Sequence, residues 1–350
     1  MLPMHPLALL AFRLSWWQSD LLANLIPLVI VVLAVLAYRA AARQPLWADA
    51  FRRLRGNSIA LLSLAVIGLY CGVALADSFG WRDSRSAEFR SVLQRVAERK
   101  REYYYSAPGA RWTTGEAQPH RLREWHLLGT DGVGNDVLYN TLRGTRTALV
   151  IGGFSLMIMT PIALILGMLA GYFGKVVDDT VQYTYTVLDS IPTILLLVSI
   201  MMVLDKGLPQ LCFALGISSW VGLCRIVRGE TMKLREREYV RAARALGVGH
   251  LQIMARHIFP NITYLVVINL TLAFSGLVMM ESFLAYLGLG VGTEIGSWGN
   301  MIDAARLELA REPVIWWSLA SASTALFLLV LAFNLFSDAL QDALNPRLRS

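Results

Sequence analysis

"EYVRAARALGVGHLQIMARHIFPN", residues 238–261, lies between two long apolar stretches. Its cations, its Gly pair and its terminal Pro stand out in a chain that is otherwise greasy. Two short helices and a stop account for the pattern. Tyr239, Ala242, Ala243 and Leu246 recur on one helical face, and Gly247 and Gly249 are placed to end that helix. Leu251, Met254, Ala255 and Ile258 form a second stripe, and Pro260 closes the second helix before the next apolar run. Ala242 and Ala243 are small enough for a foreign surface to approach the backbone closely. The pattern alone leaves two readings open: a loop packed on its own bundle, or a part that another protein grips.

The rest of the chain has the composition of a membrane protein. Of 350 residues, 55% are hydrophobic and 16% charged, where an ordinary soluble domain is about a quarter charged. Mean hydropathy is +0.50. A net charge of +7 fits Lys and Arg held in cytoplasmic loops. No aromatic-basic stripe suited to stacking bases accompanies it, so nucleic acid is not an expected partner. Cys71, Cys212 and Cys224 lie in apolar segments at no metal or redox spacing, and read as buried small hydrophobes. His5, His120, His126, His250 and His257 are scattered with no HExxH or CxxC companion, so no metal or other cofactor is expected. The first apolar run is as long as a full span and lacks preceding clustered cations, which argues against a cleaved signal peptide.

Seven stretches are long and apolar enough to cross a bilayer: 21–38, 57–76, 147–171, 181–204, 210–228, 262–290 and 315–337. Arg39, Arg43, Arg52, Arg53 and Arg55 follow the first. Arg225, Arg228, Lys233, Arg235, Arg237, Arg241, Arg244 and Arg256 surround the quoted stretch. Both basic loops belong on the cytoplasmic side, and the four spans between them allow it. The tail 339–350 then falls inside and the N-terminus outside. Residues 77–146 become an extracytoplasmic insert, in which Phe89, Val92, Leu93, Val96 and Ala97 predict an amphipathic helix. The expected organisation is an extra N-terminal helix and basic linker (1–56), a first core helix (57–76), the insert (77–146), a core domain (147–338) containing the loop 229–261, and the tail.

Several segments together resemble a known family. "RAARALG", followed by "HIFPN", is similar to the "EAA" loop of ABC importer permeases, with Arg241 where that pattern carries Glu and Glu238 one turn upstream. "LLGTDGVGNDVLYNTLRGTRTALVIG" (127–152) resembles a characteristic segment of the dipeptide/oligopeptide permeases, with Asn135 replacing the usual Arg. "GYFGKVVDD" (171–179), "DSIPTILLLV" (189–198), "ESFLAYLGLGV" (281–291) and "SWGNMIDAAR" (297–306) follow in that family's order. The resemblance covers about residues 126–345 and is to the second, C-type permease of a peptide importer. It leaves out span 21–38 and much of the insert.

The resemblance implies an all-α polytopic membrane protein with the type I ABC importer transmembrane fold. It implies a homologous partner permease, two cytoplasmic ATPase subunits, an extracytoplasmic solute-binding protein, a peptide substrate and surrounding lipid. Glu238, Arg241, Ala242, Ala243, Gly247, His257 and Pro260 would then form the ATPase-coupling surface. Asp189, Pro192 and Glu281 are candidates for translocation or gating, set against simple solvation of the carboxylates and a purely shaping role for the proline.

"GLGVGTEIG" (288–296) lacks the Lys-Ser/Thr of a P-loop and follows a span rather than a strand, so it reads as a flexible loop. Trp316 and Trp317 begin the last span and read as interfacial belt residues. Gly152, Gly153, Gly167, Gly171 and Gly174 permit close helix packing, and Pro161 and Pro192 are placed to kink their helices. An ion-gradient-driven secondary transporter would need ionisable groups near the midplane, and these spans are nearly charge-free. An intramembrane enzyme would need a paired catalytic constellation, and none is present.

Overall fold

The computed structural model of the chain describes residues 45–82, 88–114, 119–292 and 294–344, with scattered positions between 24 and 39. Most of the expected span 21–38 lies outside the described residues. Asn24 is one of the described positions. Its amide donates to Gly80 O (2.8 Å) and accepts from Gly80 N–H (3.0 Å).

The basic linker is helical where it is described. α1 (Pro45–Gly56) buries Trp47, Ala50 and Leu54 along one face and leaves Arg52, Arg53 and Arg55 exposed. α2 (Ser58–Ser78) is capped by Asn57, whose Oδ1 accepts the N–H groups of Ile59 and Ala60. Its leucines 61, 62, 64 and 69 are exposed, as expected of a helix solvated by lipid. Cys71 is exposed on the same helix, whereas Cys212 and Cys224 are buried as the sequence suggested.

The expected amphipathic helix near 89–99 is shorter than its periodicity implied. Phe89–Ser91 forms strand β2, antiparallel to β1 (Gly80–Arg82). Only Val92–Ala97 is helical (α3), started by Ser91, whose Oγ accepts Gln94 N–H. Pairing with β1 claims the first residues before a helix can, and Val96 is left exposed.

α4 (Val137–Phe173) runs for 37 residues without interruption at Pro161. At 1.5 Å per residue that is about 55 Å, against a hydrocarbon thickness of roughly 30 Å. Its first turns, with Asn140, Arg143 and Arg146, therefore extend beyond the apolar layer. The stretch expected as one span at 181–204 is two helices, α5 (Lys175–Asp189) and α6 (Thr193–Leu204), bent by 85°. The cause is local: Pro192 lacks an N–H and disfavours helical geometry at Ile191. An unbroken apolar run conceals that bend from hydropathy.

α7 (Leu208–Ser218) and α8 (Trp220–Arg235) follow, then two short elements leading into α11 (Phe259–Tyr286), α12 (Trp298–Glu308) and α13 (Trp317–Leu344). Among the described residues five helices are long and apolar enough to cross a membrane, or six if the bent pair counts as one span.

The chain divides into two compact units. The first joins residues up to Thr147 with Gly296–Ala325. Its core contains Tyr105, Val137, Ile315 and Trp317. Trp317 is therefore a core residue rather than a belt residue, and its indole N–H donates to Thr130 O (2.8 Å). Trp316 beside it is exposed. Trp298 donates to Thr141 O (2.8 Å) and lies where any side chain on Gly144 would sit.

The second unit joins Ala148–Ile295 with the chain from Leu326 onward. Of the glycines expected to permit close packing, Gly152 meets the Phe274 ring, Gly167 meets Val227 and Gly171 meets Arg228 and Thr231, while Gly153 meets nothing. Phe274 in turn stacks on Phe333 at 4.0 Å. The 288–296 stretch begins with a helix stop: Gly288 N–H donates to Ala285 O, and Leu289 N–H to Leu284 O (both 2.8 Å). The backbone of Gly288 is left-handed (φ 74°), so this glycine closes α11.

Candidate functional site

The quoted stretch forms α9 (Glu238–Ala245) and α10 (His250–Ile253), followed by a π-helical turn, Met254–Ile258, that runs directly into α11. Glu238 opens α9, where a carboxylate suits the positive end of the helix dipole. The stop after α9 uses Gly247 alone. Gly247 N–H donates to Arg244 O (3.0 Å) and Val248 N–H to Ala243 O (3.1 Å), with φ of 79° at the glycine. That pair of hydrogen bonds is a Schellman closure, and the left-handed backbone explains why glycine is required. Gly249, read as a second stop, has an ordinary φ of −59° and instead caps the start of α10.

Pro260 likewise does something other than close the second helix. It sits in the first turn of α11. A proline there cannot donate to Arg256 O and would crowd that carbonyl. The backbone widens to accommodate it, and Phe259 N–H bonds to Met254 O, five residues back. The loop therefore joins the long helix through a widened turn.

The two faces of the loop differ sharply. Val240, Ala243, Ile253, Met254 and Ile258 are buried in one core cluster with Val227, Ile262 and Val266. Arg241 and Ala242 are exposed, and so are Tyr239, Leu246 and Leu251, the last two at 84% and 75%. The sequence put Ala242 and Ala243 on one face as a single small pair. The structure separates them: Ala243 packs inward against its own bundle, and Ala242 points out with Tyr239 and Leu246. Successive helical residues are about 100° apart, so adjacent alanines on a narrow stripe need not share a surface.

The loop is tied to the end of α4. The Tyr172 hydroxyl lies 2.9 Å from His250 Nδ1, and both Tyr172 and Phe173 meet that imidazole edge to face. The Arg244 guanidinium stands 5.3 Å over the Tyr172 ring. Arg235 donates to the carbonyls of Gly171 and Tyr172 (both 3.3 Å). His257 is half-buried, 6.3 Å from the Tyr239 ring, and its carbonyl accepts from Asn261 (2.7 Å). Neither Tyr172 nor His250 was singled out from sequence. The available signal was Tyr172's place inside "GYFG", a segment already matched to the family.

The three gating candidates are not one cluster in the chain's own contacts. Asp189 accepts from Arg225 (2.6 Å) at the break between α5 and α6, with both side chains about half exposed. Arg225 also covers the Tyr185 ring at 4.8 Å. Pro192 starts α6 on the far side of the same break. One helix turn further along α8, Arg228 forks onto both carboxylate oxygens of Asp178, where both side chains are more buried. Sequence reading missed that second pair. Glu281 is buried within α11, with Ser282 Oγ 3.3 Å away. Among the described residues no group of three His, Cys, Asp or Glu side chains is placed to hold a metal ion.

Residues 163–350 match the family described as "binding-protein-dependent transport system inner membrane component". The oligopeptide transport system permease protein OppC of Bacillus subtilis (strain 168) is 30% identical over 304 residues, covering 87% of this chain and 90% of that protein. The dipeptide transport system permease protein DppC of the same organism is 34% identical over 224 residues, covering 64% and 69%. A glutathione transport system permease protein, GsiD of Pectobacterium atrosepticum, is 34% identical over 225 residues, covering 64% and 74%. Among solved structures, an inward-facing MetNI methionine ABC transporter aligns at 20% identity with a TM-score of 0.45, covering 59% of this chain and 94% of that one.

Proposed function

The chain belongs to the family of binding-protein-dependent transport system inner membrane components, and from that premise we propose that it is one permease subunit of an ATP-driven importer of peptides. A partner permease completes the translocation path. Two ATPase subunits on the cytoplasmic side drive alternating access, and a solute-binding protein delivers cargo from outside. The peptide class is supported by the names of its relatives, described as oligopeptide and dipeptide permeases. The orientation rests on the arginine-rich loops, with the N-terminus outside and residues 339–350 in the cytoplasm.

The observation that carries the coupling assignment is the outward face of α9 and α10. Tyr239, Ala242, Leu246 and Leu251 are exposed on a segment whose other face is fully committed to the core. A firmly anchored short helix with apolar side chains in solvent suits a cleft in a partner. Force on that helix has a direct route into the membrane helices through the Tyr172–His250 contact and the continuous turn into α11. Arg241 and Glu238 flank the outward face and would set ionic preference. His257 and Pro260 would act from behind it, by holding its geometry.

The test uses Ala242→Trp and Leu246→Asp. Both sites are exposed, so insertion and assembly with the partner permease should persist. ATPase co-purification in detergent and substrate-stimulated ATP hydrolysis in liposomes should be lost. Full retention of both would reduce this segment to a surface loop. Orientation is checked separately with single cysteines in a cysteine-free background. Tyr104→Cys should react with an impermeant thiol reagent in spheroplasts, and Gly249→Cys should not; the reverse pattern overturns the topology.

A further inference from the structure

We propose that His126 is a proton-binding site of the first unit: as an imidazolium it clasps Glu102 and Asp136 together, and on losing its proton it releases them. The inference concerns residues 102–139 alone and stands apart from the transport reading.

The ring is fully buried. Its Nδ1 lies 2.7 Å from Asp136 Oδ2, and its Nε2 lies 3.5 Å from Glu102 Oε1. Both carboxylates are buried as well. Each also holds backbone. Glu102 Oε1 accepts the N–H groups of Arg123 (2.7 Å) and Glu124 (3.1 Å). Asp136 Oδ1 accepts Tyr139 N–H (2.7 Å) and so caps the first turn of α4. One imidazole thus sits where three separate pieces of chain meet.

Hydrogen-bond chemistry selects the charged form. A neutral imidazole carries one N–H and one lone pair. If Nδ1 donates to Asp136, the lone pair on Nε2 faces the Glu102 carboxylate; if Nε2 carries the proton, the lone pair on Nδ1 faces Asp136. Nε2 is buried and makes no hydrogen bond within normal geometry, which is the position an additional proton would occupy. Two buried carboxylates without a cation are also costly, because neither is solvated. Among the described residues, the titratable groups acting on the ring are Asp136 and Glu102.

Burial pulls the imidazole pKa down, but the hydrogen bond and charge of Asp136, then the nearby Glu102 carboxylate, outweigh it and leave the group above its ordinary 6.5. A folded value raised above the unfolded one contributes stability that is complete below the unfolded value and lost as pH rises through the folded value. The clasp therefore stays closed to higher pH than an ordinary imidazole would hold it, and loosens as pH rises further.

The experiment is amide hydrogen exchange across 99–139 in the purified full-length transporter from pH about 6 to 9, corrected for intrinsic rates. In the wild type the local opening constant should rise with pH, by up to tenfold per unit above the folded pKa. His126→Gln, which leaves the carboxylates without a cation, should open the segment at every pH. The double variant His126→Gln/Glu102→Gln, with one carboxylate removed, should restore protection and show a flat profile. A flat wild-type profile, or a slope that survives in the double variant, overturns the proposal. If the variants do not fold, 15N-histidine solid-state NMR of the wild type decides. The His126 signal should pass from doubly to singly protonated at a higher pH than the ordinary imidazole value of 6.5. A His126 signal already neutral at a pH of about 6 would overturn it.

Discussion

The loop at 236–261 and the insert at 88–136 are both rich in charge, and they use it in opposite ways. In the loop the interior is Val240, Ala243, Ile253, Met254 and Ile258, while Glu238, Arg241 and Arg256 stand in solvent. In the insert the interior holds His126, Glu102 and Asp136, and Trp112, Trp125 and Val96 are exposed. The loop packs on the apolar flanks of membrane helices, so its core is almost wholly apolar, with the Tyr172–His250 hydrogen bond at its edge. The insert has little regular structure and must satisfy its buried backbone by other means. Glu102 and Asp136 do that work, and His126 offsets their charge. Charge in the loop is thus available to a partner, and charge in the insert is spent on the fold.

Breaking the insert at its centre should give the largest effect. Asp136→Ala removes the His126 partner and the cap of α4 together, and should destabilise the first unit by about 3 kcal/mol. The measurement is thermal unfolding of the purified transporter, and a change below about 1 kcal/mol would mean the buried cluster is not structural. Next comes Ala243→Trp in the loop. Because Ala243 faces its own core, this variant should lose about 1–3 kcal/mol by overpacking, whereas Ala242→Trp should melt like the wild type and fail only in ATPase binding. Identical melting of the two would erase the distinction between inner and outer faces.

Gly247→Ala comes third. Its left-handed backbone should cost about 1 kcal/mol, and a stabilised protein would contradict the closure described for α9. The smallest effect belongs to Asp189→Asn. That pair with Arg225 is half exposed, so stability should change by under about 1 kcal/mol. A transport defect without a stability change would then sharpen the case for Asp189 in gating.

The sequence by itself determined the membrane class, most of the spans, the family resemblance and the position of the loop. Those properties follow from hydropathy over some twenty residues and from motifs contiguous in the chain, which need no tertiary information. It also anticipated the close approaches at Gly152, Gly167 and Gly171. Only the tertiary structure decided which of two adjacent alanines looks outward, because that depends on where the neighbouring helices stand. It decided that 181–204 bends at Pro192 and that Pro260 is absorbed by a π-helical turn, since hydropathy is blind to backbone direction. It drew 296–325 into the same unit as the insert and buried Trp317 there. And it brought His126 between Glu102 and Asp136, residues 24 and 10 positions away, at spacings that match no motif. Burial and partnership between segments distant in sequence are set by packing, and packing is what a linear reading does not contain.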